Sequence, residues 1–125
     1  MAARFNSLPR ESRVKVMSRL DELVEEEIHE QAGLTLGELY VETMEAIMKK
    51  PIRNNTRQRD GVYARAVVSY CLYEQGLTVE KIGAVLGKDH STITHYRRLV
   101  EDALETPASN PEMIILYRKF LKEIQ

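Results

Sequence analysis

The chain has 125 residues, 43% of them apolar and 30% charged, an ordinary globular balance at a length that fits one compact domain. It contains no run of 18 apolar residues and no apolar core of signal-peptide length near the N-terminus, so neither a spanning helix nor a secretory leader is expected. Cys71 is the only cysteine, which excludes an intrachain disulfide and suits a cytoplasmic location. The net charge of −1 argues weakly against a nucleic-acid partner, but it hides an asymmetry. Residues 1–50 carry 7 Lys/Arg against 10 Asp/Glu, residues 51–100 carry 8 against 4, and residues 101–125 carry 3 against 5. The middle is therefore the basic part, and local charge decides where phosphate can bind.

Ser7, Pro9 and Glu11 read as a helix start, followed by an apolar face of Val14, Met17, Leu20, Val24 and Ile28 up to about Glu30. Gly33 is expected to end that helix. Thr35 would cap a second one, with Leu36, Leu39, Tyr40, Met44, Ile47 and Met48 buried and Pro51 as its stop. The stretch 51–61, PIRNNTRQRDG, reads as a polar basic loop. A helix over roughly 58–75 follows, with Val62, Ala66, Val67, Tyr70 and Tyr73 at helical spacing and Gly76 closing it. Thr78 caps a short helix, TVEKIGAVL, without a full capping box because Lys81 stands three residues on. Gly87 breaks it, and the next helix runs from about Asp89 to Leu104. TPASNP, 106–111, is a linker, and Asn110-Pro111 starts a last helix through Leu121. No β alternation, internal repeat or low-complexity tract is visible. The expected fold is all-α, divided into an N-terminal helical segment (1–50), a basic middle region (51–105) and a C-terminal helix packed on the core (106–125).

Residues 79–98 have a helix-turn-helix layout. Gly83 is the small residue at the crossing, Gly87 the turn glycine, and Ile82, Leu86, Ile93 and Tyr96 the apolar locks. On the second helix Ile93, Tyr96, Val100 and Leu104 share the core face. Ser91, Thr94, His95 and Arg98 lie opposite, and Asp89 and His90 occupy the N-terminal tip. That is the make-up of a recognition helix. An Asp accepts from cytosine N4, a His bonds a purine edge, and Ser or Thr bonds either. Lys88, Arg97 and Arg98 sit where phosphates would fix register. The plainer reading makes Asp89 a helix cap and the rest a solvated face. Arg53, Arg57, Arg59 and Arg65 add cations in or beside the basic loop, which suit a minor groove or phosphate and equally an ordinary exposed loop.

These residues carry a resemblance. GKDHSTITHYRRLVE resembles the signature of the C-terminal DNA-binding domain of the bacterial chromosomal replication initiator DnaA, which runs Gly-Arg-Asp-His-Thr-Thr-Val and then a His and a basic pair. RQRDGVYARAVVSYCL is similar to that domain's basic loop and following helix, and LTVEKIGAVLG to its Ser-Leu-Pro-Glu-Ile-Gly helix. The similarity covers about residues 55–104. It implies a helix-turn-helix of the DnaA C-terminal, Trp-repressor-like type. It also implies base contacts by Asp89, His90 and Ser91 with Thr92 beside them. Minor-groove contact falls to Arg57, Arg59 or Arg65, and His95, Arg97 and Arg98 come near the backbone. The chain departs from the pattern in three places: the turn before Lys88 is one residue shorter, Ser91 replaces a threonine and lacks its methyl, and Val79-Glu80 stands for Leu-Pro. No G-x-x-x-x-G-K-[ST] occurs, so no nucleotide and no ATPase module is expected.

Other constellations are weaker. His29, His90, His95 and Cys71 have no metal-ligand spacing, so no metal and no other cofactor is expected. Glu25-Glu26-Glu27 reads as a solvated face or, less simply, a protein-docking surface on the N-terminal helices. Tyr63, Tyr70 and Tyr73 read as core rather than a base-stacking platform, and nothing supports a catalytic dyad. The expectation is a non-enzymatic, sequence-specific binder of double-stranded DNA, acting in replication-origin control or transcription regulation. The rivals are a generic dimeric helix-turn-helix regulator with an unrelated site, and a helical protein–protein adaptor.

Overall fold

The computed structural model describes residues 20–125 of the chain, with side-chain surroundings from residue 32 onward. Five α-helices occur among the described residues: α1 Leu20–Met48, α2 Arg59–Glu74, α3 Val79–Leu86, α4 His90–Glu105 and α5 Pro111–Ile124, with a 3-10 turn at Pro107–Ser109 before the last. No strand occurs among them, so the fold is all-α as expected. The expected helix start near Ser7 and Pro9 lies outside the described residues.

Helix α1 corrects the first expectation. It runs unbroken through Gly33 and Thr35, which neither stop nor cap a helix. A glycine costs a helix interior only about 0.5–1 kcal/mol relative to alanine, and tertiary packing outweighs that. Gly37 shows the packing in question: a Cβ there would stand 2.5 Å from Cγ2 of Val85 on α3, so the bare glycine lets α1 and α3 approach. Tyr40, Val41 and Met44 are buried on α1, whereas Leu39, expected inside, is 54% exposed. The helix ends in a left-handed residue, Lys49 at φ 59°, whose N–H donates to Glu45 O at 2.7 Å. Pro51 follows and cannot continue it.

From Gly33 to Gln125 the chain shares one core. Helix α2 is its centre and packs on α3, α4 and α5. Its buried stripe is Gly61, Ala64, Arg65, Val68 and Leu72 with Ala66, Val67, Ser69 and Cys71 beside it; of the five positions expected from spacing only Ala66 and Val67 are buried, so the face is turned from the expected one. Phe120 of α5 is fully buried and meets Tyr40 edge-on at 5.4 Å, while Tyr117 meets Tyr70 at 5.8 Å. Asn110 caps α5, its side chain accepting from Met113 N at 3.2 Å, and its Nδ2 donates to the Tyr63 hydroxyl. Helix α5 thus runs alongside α2 in the same direction. Tyr73 is 40% exposed and is not a core residue; Tyr63 and Tyr70 are half-buried.

Candidate nucleic-acid interface

The two helices α3 and α4 and the turn between them are specified residue by residue. Thr78 caps α3 by accepting from Lys81 N at 3.3 Å. Gly87 sits at φ 68° after its last residue, the left-handed conformation that a side chain resists. Gly83 is closer to the turn than to a crossing helix: a Cβ there would lie 2.5 Å from the carbonyl oxygen of Lys88. Ile82, Leu86, Ile93 and Tyr96 are all buried, as their spacing predicts. On the far end of α4 the core face shifts by one residue. Ala103 is buried and Leu104, expected inside, is 36% exposed.

Asp89 is the N-cap of α4. Its Oδ1 accepts from Thr92 N at 2.8 Å and from Ser91 Oγ at 3.1 Å. Bonds from the Thr92 side chain, the Thr92 amide and Ser91 hold the Asp89 carboxyl below the usual carboxylate range. The capping role is therefore real, and it orients the tip without hiding it: Asp89, His90 and Ser91 are exposed and Thr92 half-buried. Asp89, His90 and Ser91 line a concavity with Lys88 of the turn and Glu80 and Ala84 of α3. The Glu80 carboxyl is held low by its own backbone amide, by His90 and by Thr78. His95 and Arg98 are exposed on the outer face of the same helix.

The basic loop, residues 51–58, lies against this tip. Ile52 anchors it. Its side chain is fully buried, worth about 1.5–3 kcal/mol, and its N–H donates to the Glu45 carboxylate at 3.0 Å. Lys88 Nζ reaches across from the helix-turn-helix turn and donates to Asn54 O at 3.2 Å and to Asn55 Oδ1 at 2.8 Å. Arg53 makes a two-point ion pair with Glu38, at 2.7 and 3.0 Å, and donates to Val85 O at 3.2 Å. Lys50 pairs with Asp60 at the loop's other edge. Arg57 and Arg59 are exposed, and Arg59 lies 3.5 Å from Glu112 at the start of α5.

Two of the cations singled out by sequence stand elsewhere. Arg65 is only 2% exposed. Its Nε donates to the Tyr96 hydroxyl at 2.9 Å, Nη1 to Ile52 O at 3.0 Å and Asn54 Oδ1 at 3.4 Å, and Nη2 to Thr56 O at 2.7 Å. Its donors face the protein, so it does not offer itself to a groove. Arg97 has 18% of its side chain exposed. Its guanidinium lies 3.7 Å from the centre of the Tyr73 ring on α2, with Glu101 4.0 Å away. It packs on the end of α2, away from the Lys88–Thr92 tip. Sequence reasoning missed the asparagines of the loop, the Tyr96 hydroxyl and the Glu38–Arg53 brace. The one signal for the first was the pair Asn54-Asn55 before the arginines.

The family model described as bacterial DnaA protein helix-turn-helix matches residues 24–100. The match begins well upstream of the similarity legible by eye and takes in most of α1; it ends before α5. No curated protein and no solved structure matches the chain. Among the described residues no helix is long and apolar enough to cross a membrane.

Proposed function

Because the chain belongs to the bacterial DnaA protein helix-turn-helix family, whose business is binding DNA, we propose that it reads a specific duplex sequence of the replication-origin type. One observation carries this reading: an exposed, pre-capped polar tip, Asp89–Ser91, tied through Lys88 to an exposed basic loop. The two elements suit adjacent grooves. The tip enters the major groove, where Asp89 accepts from a cytosine N4 and His90 bonds a purine edge. Ser91 and Thr92 complete the contact. Arg57 leads the loop into the neighbouring minor groove, where narrow stretches attract arginine. Lys88, His95 and Arg98 flank the tip and contact phosphates to set register, Lys88 with the donor its two loop bonds leave over, and Arg59 joins them when Glu112 yields it. On this reading residues 51–105 do the reading, α5 buttresses α2, and residues 1–50, which include the core helix α1, take a protein partner. Control of replication follows more directly than transcription regulation from the family's own setting.

The cap and the reading role of Asp89 separate experimentally. Asn caps a helix as well as Asp does, but it also brings an amide donor. Asp89→Asn should keep the melting temperature of the wild type and lose preference among selected duplexes. His90→Ala should weaken the preferred duplex on the order of tenfold or more while leaving a shuffled duplex nearly unchanged. Equal losses on both duplexes for both variants would remove the base-reading role.

A further inference from the structure

Arg65 is a buried cation with neutral partners. All of its hydrogen-bond acceptors are backbone carbonyls, an amide and a phenol, and no ion pair to it occurs among the described residues. Desolvating a guanidinium without an opposing charge is costly. The arginine earns its place some other way, and its bonds show where. Residues 52, 54 and 56 supply its acceptors, alternate positions of the basic loop, so the loop wraps over one planar group. The remaining bond, from Nε, goes to Tyr96 on α4. The Tyr96 ring itself is buried, with the guanidinium carbon 5.7 Å from its centre. Gly61, one turn before Arg65, keeps this space open. A Cβ there would stand 2.8 Å from Thr56 Cγ2 and 3.5 Å from Arg65 Nη1.

We propose that Arg65 and Tyr96 are a positioning pair that locks the basic loop to the DNA-reading helix, so that loop and tip meet duplex DNA in one fixed register. The inference rests on the DNA reading proposed above. It gives Arg65 a role inside the protein in place of a groove contact. A planar fork is needed because three loop residues and one phenol must be bonded at once, which a lysine's single ammonium cannot do. The cost of ordering the loop is met on folding, and Arg57 is already presented when DNA arrives.

The test is a double-mutant cycle on the intact chain. A duplex is first selected by the wild-type protein from a random-sequence pool, and its affinity is read by fluorescence anisotropy at fixed salt. Tyr96→Phe keeps the buried ring and removes only the hydroxyl; Arg65→Lys keeps the charge and removes the fork. Each should weaken the selected duplex on the order of tenfold, as should Arg57→Ala. Combined with Arg57→Ala, either should add less than about a further twofold, because the loop's contact is already gone. A general loss of stability would instead multiply the two effects, and multiplicative losses overturn the proposal. So does unchanged affinity in both Tyr96→Phe and Arg65→Lys, or an Arg57→Ala variant that binds like wild type. If the wild type enriches no duplex at all, the DNA reading fails and the pairing role with it. If it enriches one and only the cycle fails, the DNA reading stands.

Discussion

Gly83→Ala and Gly33→Ala should change stability in opposite directions although both glycines lie within helices. At Gly83 the added methyl would stand 2.5 Å from Lys88 O, where a carbon and an oxygen normally keep about 3.3 Å or more. The carbonyl cannot retreat freely, since Lys88 N donates to Gly83 O at 3.0 Å and the next residue caps α4. Overpacking of this kind costs about 1–3 kcal/mol, and the gain in helix propensity returns at most about 1 kcal/mol. At Gly33 the same methyl meets Leu77 Cγ at 3.7 Å and Lys81 Cδ at 3.9 Å, ordinary contacts. There only the propensity gain remains, roughly 0.5–1 kcal/mol of added stability. Thermal unfolding followed by circular dichroism resolves both, because 1 kcal/mol shifts the midpoint of a domain of this size by about 4–8 °C. Gly83→Ala should also weaken DNA binding, since the shift falls on Lys88 and Asp89; Gly33→Ala should not. A stabilised Gly83→Ala, or two variants moving together, would refute the packing argument.

Burial, reinforced by Glu74, pushes the Cys71 thiol up to about 12 from its ordinary value near 9. The folded state therefore favours the neutral thiol, and the stability tied to it is present below pH 9 and lost as pH rises from 9 toward 12. Cys71→Ala should show a flatter alkaline decline in urea midpoint than wild type, and native Cys71 should resist alkylation until denaturant is added. Glu112→Gln should strengthen binding to any duplex and steepen its salt dependence by releasing Arg59, with almost no change in melting temperature, because the pair is exposed on both sides.

The helix-turn-helix was legible because its requirements are local. A cap at Thr78, positive φ at Gly87 and four apolar locks are each a property of one residue and its near neighbours. The same locality made the Asp89 tip readable both as a cap and as a reading surface, and the structure makes it a cap that remains exposed. What failed was non-local. Gly33 and Thr35 look like punctuation, but α1 continues through them, and Gly37 shows the close packing on Val85 that sequence spacing could not anticipate. Arg65 counts as one more cation of the basic segment until it is placed on the α2 wheel. There it falls on the stripe of Gly61, Val68 and Leu72, which is a buried position. Arg97 and Arg98 read alike as phosphate contacts in the sequence, yet adjacent residues on a helix point about 100° apart, and it is Arg97 that meets Tyr73.

The most direct measurement is wild-type affinity for two labelled duplexes, one carrying an initiator-type box and one its shuffled version, across a salt series. The account predicts tighter binding to the box at every salt, with both affinities falling linearly in log salt at about −0.9 per phosphate neutralised. Equal affinity for the two duplexes throughout the series would contradict reading of that box. Absence of binding to either at low salt would contradict DNA recognition by this chain altogether.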